Sequence, residues 1–219
     1  MRMPLRGIYL ITPDLQDTQQ LLAVTSDALQ GGVALLQYRN KSASATLRRE
    51  QATALLELCR NSKVPLVIND DPDLAACLGA DGVHLGNDDR NVSAARLTLG
   101  AAALIGASCY SSLGRARRAR LDGASYIAFG AFATSPTKPL ATSADAALLT
   151  RARALALPVV AIGGITPALA PSLVAAGADL LAVISTVYAS TKPADAVRAL
   201  RNAFPEYRGD ALEHQSRAV

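Results

Sequence analysis

Short apolar runs alternate with longer amphipathic stretches along the whole chain. The apolar runs fall at residues 7–11, 34–38, 66–68, 82–85, 103–106, 126–129, 159–162 and 180–184. None shows strict polar–apolar alternation, the pattern of strands in a parallel sheet covered on both faces by helices. Helical periodicity fills the gaps, near residues 18–30, 45–60, 72–78, 93–99, 112–121, 144–155, 167–175 and 193–203. The pattern predicts about eight strand–helix units.

An internal echo organises these units. QGGVALLQY, LGADGVHLG, DGASYIAFG and AGADLLAVI share one frame: a glycine, a small residue, then a strand. The aligned glycines are Gly32, Gly79, Gly123 and Gly177. A glycine just past a helix end supplies the left-handed residue that closes a helix. Successive glycines leave room for two units, so the echo marks alternate strands. A two-unit module closing on itself predicts a single-domain α/β protein, a (β/α)8 barrel over residues 1–204, with a polar, frayed tail at 205–219. An open doubly wound sheet is the competing architecture.

Composition narrows the chemistry. Of 219 residues 50% are hydrophobic, and aromatics are 4% with no Trp. The net charge of +4 suits small anionic ligands. Sparse aromatics argue against nucleic acid, since single strands need stacking platforms. The basic stretch GRARRAR, from Gly114 to Arg120, reads as a solvated helix face. Cys59, Cys77 and Cys109 form no C-x-x-C pair, which fits a reducing compartment. MRMPLRGIYLIT has no long apolar segment, and no run approaches bilayer-spanning length. The expectation is a cytoplasmic protein that binds neither membrane nor nucleic acid; nothing in the sequence sets its oligomeric state.

In a barrel the active site lies at the C-terminal ends of the strands. Those ends carry Gln37, Tyr38, Arg39, Asn40 and Lys41; Asn69, Asp70 and Asp71; Asp88 and Asp89; Ser108; Ser135, Pro136, Thr137 and Lys138; Gly163 and Gly164; and Ile184 and Ser185. Each has a plain structural reading. Asp70 or Asp71 can cap the helix opened by Pro72, Asp88 and Asp89 can form a polar turn, and Ser111 or Ser112 can cap the next helix. Lys41 and Lys138 can be solvated lysines, and the glycine pair a tight turn. The combination at one rim is not required for stability.

Two anion sites emerge from the sorting. GGIT after the seventh strand offers backbone N–H groups to a phosphate, with Ser185 as a further donor. Ser135, Thr137 and Lys138 can reach the same region. Asp70 and Asp89 come from neighbouring strands, and two hard carboxylates suit Mg²⁺, which takes the rest of its shell from water and substrate phosphates. Arg39, Lys41 and Lys138 add positive charge for a diphosphate. His84 lies inside a strand and reads as structural. No nucleophile–base pair resembles a hydrolase triad.

The motifs QYRNK, VINDD, GVHLGNDD, IGASCYS, SPTKP, AIGGIT and AVIS follow in order on successive strand ends. With them the chain resembles the thiamine phosphate synthase family over roughly residues 8–197. The resemblance implies a transferase that joins a hydroxymethylpyrimidine diphosphate to a thiazole phosphate, or its carboxylated form. The products are thiamine phosphate and pyrophosphate. Diphosphate leaves first with Mg²⁺, and the thiazole nitrogen attacks the resulting cation. It implies Asp70 and Asp89 as metal ligands. Gln37, Tyr38, Arg39, Asn40, Lys41, Asn69, Ser108 and Lys138 form the pyrimidine diphosphate site, with Lys138, Ser108 and Gln37 catalytic. Ser135, Pro136, Thr137, Gly164, Ile184 and Ser185 form the thiazole phosphate site. Asn40 stands where an acid is expected, Ser135 replaces Thr, Ala161 replaces Gly, and SCYS departs from an S-x-H form. A thiazole tautomerase, a non-catalytic thiazole phosphate sensor and another phosphosugar barrel enzyme stay open. The tautomerase would lack both carboxylates and need a histidine near the fifth strand.

Overall fold

A computed structural model describes residues 5–86, 91–133 and 144–207. Eight parallel strands close into a barrel in sequence order: β1 (Gly7–Ile11), β2 (Val33–Tyr38), β3 (Leu66–Asn69), β4 (Gly82–Leu85), β5 (Leu104–Tyr110), β6 (Tyr126–Gly130), β7 (Val159–Ile162) and β8 (Leu180–Val183). Helices α1 (Thr18–Gln30), α2 (Ala45–Ser62), α3 (Pro72–Leu78), α4 (Val92–Leu99), α5 (Leu113–Leu121), α6 (Ala147–Ala152) and α7 (Ala170–Ala176) follow the first seven strands. After β8 come a four-residue helix α8 (Ser185–Tyr188) and then α9 (Pro193–Arg201). The open doubly wound sheet is excluded by the β1–β8 pairing.

The strands divide their side chains by parity. Ile8, Leu10, Leu36, Ile68, Ile127 and Leu181 face outward and pack against the helices. Tyr9, Leu35, Val67, Tyr126, Val160 and Leu180 fill the barrel interior. Gly106 makes room there: a Cβ on it would lie 2.1 Å from Cζ of Tyr126. The glycine echo has a physical cause at the N-terminal end. Gly32, Gly79, Gly123 and Gly177 all have positive φ and close the preceding helices. Two residues after three of them, a polar side chain clamps the preceding strand. The side chains of Asp81, Ser125 and Asp179 accept from the N–H groups of Leu66, Ile105 and Val159, at 2.9, 3.1 and 2.9 Å. Their own N–H groups donate back to the carbonyls of Leu66, Ile105 and Val159.

The structure adjusts several expected boundaries. β5 runs on to Tyr110, whose φ of 52° and a register shift turn the chain out of the sheet. The helix expected at 167–175 starts at Ala170, after a turn. The helix expected at 144–155 is α6 followed by a 3-10 turn, Arg153–Leu155. The first residues of the expected tail are not frayed: Pro205–Tyr207 is a 3-10 turn. Arg6 pairs with Glu206, and the Arg201 guanidinium stacks on the Tyr207 ring, 4.0 Å from its centre.

Candidate active site

The rim at the C-terminal ends of β2 and β3 holds a cavity of about 230 Å³, lined by Tyr38, Asn40, Lys41, Arg48, Ile68, Asn69 and Asp70. Asp70 follows the last residue of β3 with φ of 59°, a left-handed conformation that Asp tolerates better than most residues. The turn aims its carboxylate along the rim. Oδ1 accepts from the Gly86 N–H at 3.1 Å, Oδ2 accepts from the Asn69 side chain at 2.6 Å, and Lys41 Nζ lies 3.6 Å from Oδ2. Asp71 does a different job. Its side chain accepts from the Leu74 N–H at 2.9 Å and caps α3. So the two neighbouring acids divide the work: one caps, one faces the cavity.

The QYRNK segment is held by the loop after β1. Thr12 exchanges hydrogen bonds with the Arg39 backbone, and the Arg39 guanidinium pairs with Asp14 at 2.9 Å. Asn40 is buried; its amide donates to the Leu15 carbonyl and to Gln51, and its oxygen accepts from Ser42. Tyr38 turns outward and donates to Gln51 at 2.9 Å. Lys41, with 62% of its side chain exposed, is the QYRNK cation that reaches Asp70.

Gln37 and Ser108 are joined through the barrel interior. Gln37 Nε2 donates to the Tyr9 hydroxyl at 2.5 Å, and the Tyr9 and Tyr126 hydroxyls lie 2.9 Å apart. The Tyr126 hydroxyl lies 3.2 Å from His84 Nδ1, and His84 Nε2 lies 2.9 Å from Ser108 Oγ. Burial pushes the His84 imidazole down to about 4, against a smaller opposing pull from Asp70, so the ring is neutral at physiological pH. Burial likewise drives the Tyr9 and Tyr126 phenols well above their ordinary value. Cys59 and Cys109 are pushed up to about 12, first of all by burial, which removes both as thiolate nucleophiles.

Across the rim, Gly163 and Gly164 follow β7 with φ of 101° and 63°. A Cβ on Gly163 would lie 2.5 Å from that of Ala131, so the close approach of the β6 loop requires glycine there. The Thr186 hydroxyl donates to the Ile165 carbonyl at 2.6 Å and ties the start of α8 to this loop. Ile184 and Ser185, both half-buried, therefore share one corner with Gly164. Asp88, Asp89, Ser135, Pro136, Thr137 and Lys138 lie outside the described residues.

Arg48, Tyr9 and Tyr126 were not among the expected site residues, and His84 was expected to be structural, which its burial and its two hydrogen-bonded ring nitrogens fit. Arg48 looks like any helix arginine; only the fold places it at the cavity. Tyr9, His84 and Tyr126 did carry a signal, because polar rings at inward parity on barrel strands need partners. Among the described residues no three His, Cys, Asp or Glu side chains converge on one point. Among the described residues Asp70 is the one carboxylate lining the cavity, and it keeps lone pairs beyond those already accepting. That suits an ion such as Mg²⁺, which needs only one or two carboxylates.

Comparison with known proteins places this geometry. Residues 8–187 match the family model described as thiamine monophosphate synthase. A thiamine-phosphate synthase of Xanthomonas campestris pv. campestris (strain 8004) is 57% identical over 201 residues, covering 92% of this chain and 97% of that protein. One from Thiobacillus denitrificans is 56% identical over 183 residues, covering 83% and 87%. The structure of a thiamine phosphate pyrophosphorylase from Pyrococcus furiosus superposes with a TM-score of 0.80 at 29% identity, covering 92% of this chain and 96% of that one. A 3-hexulose-6-phosphate synthase, with a TM-score of 0.69 at 18% identity and coverage of 90% and 99%, shares the fold alone. With the family model matched over most of its length, the chain belongs to the thiamine monophosphate synthase family.

Proposed function

We propose that the chain condenses a hydroxymethylpyrimidine diphosphate with a thiazole phosphate to give thiamine phosphate and pyrophosphate. The observation that carries this reading is the division of one rim into two anion-receptive corners. One has a carboxylate, Asp70, beside Lys41 and Arg48. The other is the glycine turn after β7 beside Ser185, whose parts are backbone and hydroxyl. A diphosphate that brings a metal belongs in the first, and a metal-free phosphate in the second.

The carbon–oxygen bond to the pyrimidine methylene breaks, and its electron pair leaves with the diphosphate. The thiazole nitrogen then gives its lone pair to the methylene carbon, forming the carbon–nitrogen bond. Asp70, with Asp89 from the loop after β4, would hold Mg²⁺ together with the substrate's own phosphates; when bound, the ion stabilises the negative charge of the departing diphosphate. Lys41 and Lys138 add positive charge to the same group, while Arg39, paired with Asp14, shapes the loop that carries Lys41. Gln37, Asn69 and Ser108 orient the pyrimidine. Ser135, Thr137, Gly164 and Ser185 hold the thiazole phosphate and so aim its nitrogen. Positioning of this kind is itself a large part of a two-substrate reaction's acceleration. No strong base is required, consistent with a neutral, hydrogen-bonded His84. A tautomerase would need a histidine free to move protons, and both ring nitrogens of His84 are engaged. The partners are small molecules, and no described helix is long and apolar enough to cross a membrane.

Purified protein with both substrates should form thiamine phosphate with Mg²⁺ and none with chelator. Binding of thiazole phosphate without product in either condition would return the reading to a tautomerase or a sensor.

A further inference from the structure

The hydrogen bonds inside the barrel form a line with a direction. Tyr9, Tyr126 and neutral His84 have one polar proton each. If the Gln37 amide N–H occupies the Tyr9 oxygen, the Tyr9 proton goes to Tyr126, and the Tyr126 proton goes to His84 Nδ1. His84 then carries its proton on Nε2 and donates it to Ser108 Oγ, 2.9 Å away. Every hydroxyl and imidazole proton of the line is then committed except the Ser108 hydroxyl. Ser108 is half-buried, whereas Tyr9, Tyr126, Gln37 and His84 are all buried. The line is built into the sequence at a cost: Gly106 is bare where any side chain would collide with the Tyr126 ring. Ring contacts hold the same members, with His84 and Tyr126 stacked at 5.6 Å and Tyr9 edge-on to Tyr126 at 5.8 Å.

We propose that Tyr126 and Tyr9 are positioning residues for the pyrimidine substrate: through His84 they hold Ser108 as a hydrogen-bond donor toward the site, where it meets a ring nitrogen of the aminopyrimidine. The substrate end of this proposal rests on the function proposed above. Reversing the line would turn Ser108 toward His84 and leave only acceptor lone pairs for the substrate. An aminopyrimidine ring nitrogen needs a donor, so the polarity of the buried line sets which ring edge the site accepts.

The test has a spectroscopic and a kinetic arm. The protein contains two histidines, so the ring nitrogens of His84 can be followed in ¹⁵N-labelled holoprotein by long-range ¹H–¹⁵N correlation. The wild type should show His84 protonated on Nε2 and bare on Nδ1. Tyr126→Phe removes the donor to Nδ1. It should mix the tautomers and raise KM for the pyrimidine diphosphate about tenfold, the scale of one lost hydrogen bond, leaving KM for the thiazole phosphate unchanged. A merely structural tyrosine would lower the melting temperature and move neither the tautomer nor the ratio of the two KM values. Tyr9→Phe breaks the line one bond earlier and serves if Tyr126→Phe does not fold. Wild-type His84 protonated on Nδ1, or either variant with unchanged tautomer and KM, overturns the proposal. A wild type that makes no thiamine phosphate overturns the reading of the site and the substrate end with it, while the tautomer still decides the direction of the line.

Discussion

At the N-terminal end of the barrel Asp81, Ser125 and Asp179 repeat one bond: each accepts an N–H at the start of the preceding strand. Among the described residues no such repeat exists at the C-terminal end. Asp70, Asp71, Lys41, Arg39, Gln37 and Ser108 each stand in a different setting, and Asp70 holds a left-handed backbone. The clamp carboxylates have their acceptor capacity turned to strand N–H groups; the Asp70 carboxylate faces a cavity and a lysine. The same residue type is therefore tied to strand backbone below and turned toward a cavity above, and the difference lies in where its oxygens point. This is the division expected of barrel enzymes, in which the top face carries function and the bottom face stability.

Asp70→Asn gives the sharpest break. It keeps the shape and tolerates the positive φ, and it removes one negative charge from the site. Turnover should fall on the order of 100-fold or more, as when a group stabilising developing charge is removed. Unfolding free energy in urea should shift by only roughly 0.5 kcal/mol. Full Mg²⁺-dependent turnover in the variant would remove Asp70 from the site.

His84 tests the boundary between the two ends. Its imidazole titrates near 4 when folded and at the ordinary value near 6.5 when unfolded. Between these values the unfolded chain binds more protons, so stability rises with pH in that window. It is fully present above about 6.5 and is lost as pH falls toward 4, by on the order of 3 kcal/mol. Urea titrations in chelator at several pH values should show this limb, and His84→Gln should flatten it. Equal slopes for the two proteins would mean that His84 is not buried neutral.

Asp179→Ala probes the lower end. It leaves the Val159 N–H without its acceptor and Arg6 without one partner. Stability should fall by about 1–3 kcal/mol, with turnover per folded molecule unchanged. A loss of turnover at constant stability would contradict the separation of the two ends.

The lower end was the more legible in sequence because its parts recur. Gly79, Gly123 and Gly177 stand in one frame, and the frame gave the alternation of strands and the closure. The exposed backbone ends of the strands came out less sharply: β5 continues to Tyr110 through a bulge that no periodicity marks, and α8 is too short for a helical period. At the upper end Asp70 and Lys41 were legible because charges beside an apolar run are conspicuous. Their division of labour with Asp71 and Asp14 was not, because capping and pairing depend on backbone angles and on a loop distant in sequence. The line from Gln37 to Ser108 was hidden for another reason. Each member sits alone on its own strand, and only closure of the barrel brings five strands' side chains together.

The smallest effect separates two adjacent acids. Asp71→Ala removes the side chain that accepts from the Leu74 N–H at the start of α3. It should cost about 1 kcal/mol of stability, while Asp71→Asn, which can still cap, should cost a few tenths at most. Arg48 Nη1 lies 3.9 Å from the Asp71 carboxylate, a part-exposed pair that contributes little. Turnover should therefore stay at the wild-type value in both variants, in contrast to Asp70→Asn one residue earlier. A drop in turnover for Asp71→Ala comparable to that for Asp70→Asn would show that the cap and the site are not separable, and that the pair acts on the diphosphate together.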